Sequence, residues 1–247
     1  MFKILSVNSL ISAYVMSLLF LKGLRQGDTQ LVVQGLLVAA FFYCVSQSSP
    51  CIKLAAYRPP SRLFSLPVVC SVLAQFAVHI VCLFAAVTLC EPYIEDGEGG
   101  AAFAMVDNST ATSAAAAGAA VNGSVVNGSA VNGTIADDDA TPPFKGTVFN
   151  TCIWLIGSLM LVNTFAVNSR GHPFMEDFWR NKKLLYCTML AYAVIVLATS
   201  EVFPPINDAL ELAPLPSESF RFQLVAIFAV DLFGVFGLER LVEMCFA

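Results

Sequence analysis

The sequence predicts an all-α, polytopic membrane protein with six transmembrane helices, and three observations carry that prediction. Hydrophobic residues make up 57% of the 247 residues and charged residues 13%, about half the charged share of an ordinary soluble domain. Six apolar segments approach or exceed the ~20 residues that a helix needs to cross ~30 Å of hydrocarbon. One long, acidic, low-complexity stretch, residues 91–146, divides them into two groups of three. A mean hydropathy of +0.73 agrees. The net charge of −5 argues against a nucleic-acid partner, because phosphate binding needs a clustered basic surface.

The predicted spans run Ile4–Leu21, Thr29–Ser48, Phe64–Cys90, Val148–Asn168, Leu184–Phe203 and Phe222–Phe246. The first follows Lys3, as the core of a signal peptide would, but Asn8, Ser9 and Ser12 interrupt it and no small-x-small cleavage site precedes Lys22. It is therefore read as a span. The second is the weakest, uninterrupted only over Leu31–Val45 apart from Gln34. Between the last two spans, Pro204, Pro205, Pro214 and Pro216 prevent either helix from continuing.

Three regions follow: spans in 1–90 with a cytosolic loop at 49–63, the long insertion at 91–146, and spans in 147–247 with a cytosolic loop at 169–183. The insertion holds four Asn-x-Ser/Thr sequons, at Asn108, Asn122, Asn127 and Asn132, which make sense as glycosylation acceptors only on a lumenal face. Its Ala, Gly, Ser and Asn content is too polar and too small to offset ordering entropy, so it is expected to be disordered. Asp137, Asp138 and Asp139 read as a solvated acidic run rather than a calcium site. With that loop lumenal, Lys3, Lys53, Arg58, Arg62, Arg170, Arg180, Lys182, Lys183 and Arg240 are cytosolic, against Lys22, Arg25, Lys145 and Arg221 opposite. The bias obeys the positive-inside rule and puts both termini in the cytosol. The basic residues of Arg170–Lys183 alternate with Phe174, Phe178 and Trp179, as in an amphipathic segment at headgroup level or a docking site for a cytosolic domain.

Eight cysteines are present without a Cys-x-x-Cys pair, and most lie within apolar runs, where a thiol is a small hydrophobe. Cys90 and Cys152 flank the insertion and are able to pair only if it faces an oxidising lumen; free thiols are the simpler expectation.

Polar side chains inside the spans are the candidate functional residues, since they are costly in hydrocarbon and usually face the bundle interior. Ser71, Gln75 and His79 fall at i, i+4 and i+8 and form one stripe. Asn8 and Ser12 share a face of the first span, Gln34 lies in the second, Asn163 in the fourth and Asp231 midway along the sixth. Gly234 and Gly237 after Asp231 would let another helix approach. Two readings stand: a polar substrate cavity lined by Asn8, Ser12, Gln34, Gln75, His79, Asn163 and Asp231, or interhelical hydrogen bonds that fix the packing. No metal site is expected, because His79 has no partner at ligand spacing in its own helix. No phosphate loop, Gly-x-Ser-x-Gly or His-Glu-x-x-His occurs.

The segments KILSVNSLISAY, GDTQLVVQGLL, RPPSRLFSLPVVCSVLAQFAVHI, FNTCIWLIGSLMLVNTFAVNSRGHPF, RNKKLLY, SEVFPPIN and FAVDLFGVFGLERL occur in this order. In that order they resemble the C-terminal membrane region of the type V-A P-type ATPases, the endoplasmic-reticulum transmembrane-helix dislocases. The resemblance spans all six predicted helices and leaves out Glu91–Thr141. It implies the last six of ten core helices of an endoplasmic-reticulum enzyme that uses ATP and Mg²⁺ to move misinserted hydrophobic segments of client proteins. This chain has no Asp-Lys-Thr-Gly-Thr, no Thr-Gly-Glu loop and no Gly-Asp-Gly-x-Asn-Asp hinge. It is therefore expected to be a piece of a longer protein, holding no cofactor itself and partnered by the lipid bilayer, the remaining ATPase and its clients. The first two spans correspond to ion-binding helices in cation-pumping relatives, yet they offer Asn8, Ser12 and Gln34 and no acidic ligand. That weakens a cation cargo, which needs several oxygens, usually with carboxylates. The alternatives are a cation-transporting relative and a stand-alone, non-enzymatic six-span scaffold or accessory subunit.

Overall fold

The computed structural model describes residues 1–50, 64–93, 146–169, 175 and 178–246. The four sequons, Asp137–Asp139, most of the predicted cytosolic loop 49–63, part of the loop 169–183 and most of the insertion lie outside the described residues. Within them the chain is helical: α1 (Phe2–Leu21), α2 (Asp28–Ser46), α3 (Leu66–Cys90, followed by a single 3₁₀ turn at Glu91–Tyr93), α4 (Val148–Asn168), α5 (Lys182–Ser200), the short α6 (Pro204–Ala209) and α7 (Glu218–Phe246). An isolated bridge between Pro50 and Met175 is the sole β-type pairing among the described residues.

Five of these helices, α1 to α5, are long and apolar enough to cross a membrane. The sixth predicted segment also folds as one helix, the 29-residue α7, starting four residues earlier than Phe222. The other boundaries move by two or three residues at most. At the start of α5 the shift comes from Asn181, whose Oδ1 accepts a hydrogen bond from Leu184 N at 3.2 Å and so caps the helix ahead of Lys182. At its other end Glu201 takes a left-handed conformation and stops the helix short of Phe203.

Local chemistry explains the remaining ends. Gly23 closes α1 with φ 66°; Gly23 N donates to Phe20 O at 3.0 Å and Leu24 N to Leu19 O at 2.9 Å, the paired bonds of a Schellman stop. Thr147 caps α4 through Asn150 N, 3.1 Å from its Oγ1. Ser217 caps α7 through Phe220 N at 3.2 Å. Pro204 and Pro205 stand at the first positions of α6, where a missing N–H is harmless.

Helix α4 is the axis of the bundle, with 94% of its apolar window buried. Around it pack α1, α2, α3, α5 and α7, and α3 with α7 forms the most extensive pair. Gly234 is the reason α7 comes so near: a Cβ there would lie 3.0 Å from Val78 Cγ1. Gly237, by contrast, faces open space. Phe165 of α4 stacks on Phe41 at 4.8 Å and meets Phe42 edge-on at 5.1 Å, fixing α2 to the axis.

Helix α1 is seated on α3 and α4 through Ile4, Val7, Ile11, Val15 and Leu19, so the first apolar segment is part of the bundle core. The opposite faces of α1 and α2 stay open. Only 11% of the α2 window is buried, and Leu31, Val32, Leu36 and Tyr43 point outward. Of the predicted amphipathic segment Arg170–Lys183, the described part is a turn at Phe178–Arg180 leading into α5, with Trp179 exposed.

Candidate functional site: two buried polar networks

The interior holds two polar networks stacked along α3, and the Ser71, Gln75, His79 stripe supplies both. Its i, i+4 spacing turns all three side chains toward α7, and all three are buried.

The first network lies halfway along the bundle. His79 Nδ1 is 2.8 Å from Asp231 Oδ1, and the exposures of the two side chains are 1% and 0%. Asn163 Nδ2 donates to Asp231 Oδ2 at 2.7 Å. Tyr192 Oη donates to Asn163 Oδ1 at 2.5 Å. The Asn163 amide, donating to Asp231 and accepting from Tyr192, links the carboxylate to the phenol. Helices α3 and α4 meet α7 on this one carboxylate, and α5 joins through Tyr192 and Asn163. His79 Nε2 is buried without a hydrogen-bond partner among the described residues.

The second network sits toward the end of the bundle that carries both chain termini. Lys3 Nζ donates to Glu239 Oε1 at 2.8 Å and to Ser71 Oγ at 2.9 Å. Ser71 Oγ and Gln75 Nε2 both donate to Glu239 Oε2, the latter at 2.7 Å. Gln75 and Asn168 exchange amide bonds at 3.1 and 2.7 Å. Glu239 is 3% exposed, while Lys3 keeps 28% of its side chain outside. Its alkyl stem lies along α1 and its ammonium reaches inward, which ties α1 to α3 and α7.

Further hydrogen bonds close the opposite end, where the long insertion is attached. Gln30 is fully buried; its Nε2 donates to Leu210 O at 3.3 Å, and its Oε1 accepts from Asn150 Nδ2 at 3.2 Å. Thr151 Oγ1 accepts from Ala213 N at 2.8 Å. There the backbone of Gly146 runs against the Glu211 carbonyl, leaving no room for a Cβ.

The structure thus brings His79, Asn163 and Asp231 together and places Gln75 one turn away in the second network. Asn8, Ser12 and Gln34 lie elsewhere. Asn8 and Ser12 are half-buried on the flank of the packed face of α1, and Gln34 is half-buried, accepting from Gln26 Nε2 at 3.1 Å. Apart from His79 Nε2, the polar atoms of the four buried residues are satisfied by one another and by neighbours. Neither of two described clefts includes any of the seven. One, of about 310 Å³, lies at the terminal end among Met1, Val45, Ser48, Asn168 and Asn181. The other lies at the insertion end among Met16, Phe20, Leu24 and Leu31.

Sequence reasoning missed Glu239, Tyr192, Asn168 and Gln30. The signal for Glu239 was present, since it stands eight residues after Asp231 and therefore on the same face of α7. Among the described residues no His, Cys, Asp or Glu cluster is suited to a metal ion.

Comparison with known proteins gives the networks a context. No family model matches the chain. The endoplasmic reticulum transmembrane helix translocase of Schizosaccharomyces pombe is 31% identical over 246 residues, 100% of this chain and 17% of the relative. The Saccharomyces cerevisiae protein of the same name is 30% identical over 247 residues, with the same coverage. The probable manganese-transporting ATPase PDR2 of Arabidopsis thaliana is 29% identical over 246 residues, 100% of this chain and 18% of its own length. This chain is accordingly related, along its whole length, to the type V-A P-type ATPases that include the transmembrane helix translocases, and it spans about a sixth of their length.

Proposed function

We propose that this chain is the C-terminal, six-span membrane part of an ATP-driven translocase of the endoplasmic reticulum that moves misinserted hydrophobic helices. The observation that carries the reading is the whole-length similarity to two translocases of that name. In this reading α7 is the sixth span, the insertion is lumenal and carries the glycans, and both termini are cytosolic. ATP and Mg²⁺ belong to parts of the protein outside these residues, because the phosphorylated Asp-Lys-Thr-Gly-Thr is not among them.

The open faces of α1 and α2 support a bulky, apolar cargo. Along α2 the exposed residues after Asp28 are Leu31, Val32, Gly35, Leu36, Ala39, Tyr43 and Ser46, and its one carboxylate is Asp28 at its first position. A dehydrated cation needs several oxygens, whereas a hydrophobic helix needs a smooth apolar wall with small residues for close approach. The two deeply buried carboxylates, Asp231 and Glu239, are already committed to His79, Asn163, Lys3, Ser71 and Gln75. On this reading the two networks hold the wall rigid, and Asn8, Ser12 and Gln34 lie nearest to the cargo.

The second reading is a manganese-transporting relative, which the similarity to the Arabidopsis protein favours; it requires carboxylates on the cargo face supplied from outside this chain. An immunoblot of source membranes with an antibody to Arg170–Lys183 tests the parentage. The expected result is a band several times heavier than 26.5 kDa that shifts on N-glycosidase treatment. A band near that mass removes the ATP-driven reading and leaves a stand-alone six-span protein.

A further inference from the structure

The turn that leads into α5 is pinned at the terminal end of the bundle. Asn181 Nδ2 donates to Cys44 O at 3.0 Å and to Ser48 Oγ at 2.8 Å, which ties the turn to the end of α2. Phe178 packs against the core and meets the next ring, Trp179, edge-on at 5.5 Å. Trp179 is thereby held outside, 71% exposed. Lys182 and Lys183 follow in the first turn of α5 and are exposed as well.

Position on the helix says what these groups face. Lys182, Tyr186, Met189 and Leu190 fall at i, i+4, i+7 and i+8, one face of α5, and all four are exposed. The face is an apolar strip headed by cations and an aromatic ring. No acidic residue stands in the first turn of α5, and Lys183 Nζ donates to a neutral amide, Gln47 Oε1, at 3.4 Å. Cations there oppose the helix dipole, so an anion beside them is favourable. In sequence, the segment 169–183 holds four Lys/Arg against two Glu/Asp, and the segment 49–63 at the same end holds three against none.

We propose that this strip is a binding site for an acidic phospholipid of the surrounding bilayer. The anionic headgroup lies against Lys182 and Lys183, Trp179 sits at the headgroup–acyl boundary, and an acyl chain runs along Tyr186, Met189 and Leu190. The cytosolic leaflet is the acidic one, so the choice of leaflet rests on the topology proposed above. A cytosolic domain is the other candidate cover. The strip, however, continues from the lysines into residues at hydrocarbon level without a break, which a lipid matches and a water-soluble domain does not.

The test uses the full-length protein in vesicles of phosphatidylcholine and phosphatidylserine, mixed alike in both leaflets. Photoactivatable analogues of each lipid carry the reactive group in the acyl chain, and adducts are mapped by peptide mass spectrometry. The phosphatidylserine analogue should label Trp179–Leu190 preferentially, by about fivefold for each lysine engaged. The exposed Leu241 and Met244 of α7, at the same end, should take both analogues equally. Lys182→Gln combined with Lys183→Gln should abolish the preference, whereas Arg240→Gln, which removes another exposed cation at that end, should leave it unchanged. Equal labelling of Trp179–Leu190 by the two analogues overturns the proposal, as does a preference that survives the double substitution or falls equally in Arg240→Gln. Absence of labelling by either analogue also overturns it, and means that another part of the protein covers the strip. Because both leaflets hold the same lipids, these outcomes do not depend on orientation. The glycosidase shift of the insertion tests orientation separately: its absence rejects the topology and the cytosolic leaflet with it, while the labelling still decides the site.

Discussion

Replacing Asp231 by Ala is expected to destabilise the bundle by about 3–5 kcal/mol, the usual penalty for removing one partner of a buried pair. His79 Nδ1 and Asn163 Nδ2 would both lose their acceptor at 2.8 and 2.7 Å, and neither has access to water at that depth. Unfolding in mixed detergent micelles against rising SDS measures the loss as a lower midpoint. The matched control removes both partners, because a buried pair replaced by apolar groups of similar volume is often neutral or stabilising. Asp231→Leu combined with His79→Phe should therefore recover much of the loss. Full recovery is not expected, since Asn163 would still lack an acceptor. A single substitution that leaves the midpoint unchanged would mean that Asp231 is not held as described.

Glu239→Leu is the second large effect, expected to cost about 3 kcal/mol by the same argument. The carboxylate accepts from Lys3, Ser71 and Gln75, and its loss leaves an ammonium and an amide donor unpaired between α1, α3 and α7. Lys3 is partly exposed and can swing toward water, which limits its share of the loss. The consequence should therefore fall on α1, which loses its polar tie to the bundle. Hydrogen exchange should rise in the first turns of α1 and leave α4 protected. For scale, deleting the exposed Arg240–Glu243 pair should change stability by less than about 1 kcal/mol.

Much of this architecture is legible in the sequence, and the reasons for the gaps are physical. The Ser71, Gln75, His79 stripe was readable because a period of 3.6 residues fixes which side chains share a face. Which neighbour that face meets was not, because pairing across helices depends on rotation and crossing angle. Asp231 and Asn163 stood out as buried polar residues, yet nothing local said that both converge on His79. Glu239 did not stand out, because Arg240 beside it belongs to the charges of the cytosolic side and nothing local marked the carboxylate as buried. Asn8, Ser12 and Gln34 illustrate the opposite difficulty. Helices α1 and α2 are apolar nearly all round, so their periodicity does not separate the packed face from the open one. The glycine pair divides in the same way, since Gly234 meets Val78 and Gly237 meets nothing, though both looked alike as sequence.

The central claim is that the open faces of α1 and α2 form a wall for a hydrophobic helix, and site-specific photo-crosslinking tests it most directly. A photoreactive residue is placed in the full-length protein at Ser9 of α1 or Leu36 of α2, both on open faces, and at Leu190 on the exposed face of α5 as the reference. A client carrying a misinserted transmembrane segment is supplied with ATP. The account predicts ATP-dependent adducts from Ser9 and Leu36 and none above background from Leu190. Equal labelling from all three positions, or none from α1 and α2 while transport proceeds, would contradict it.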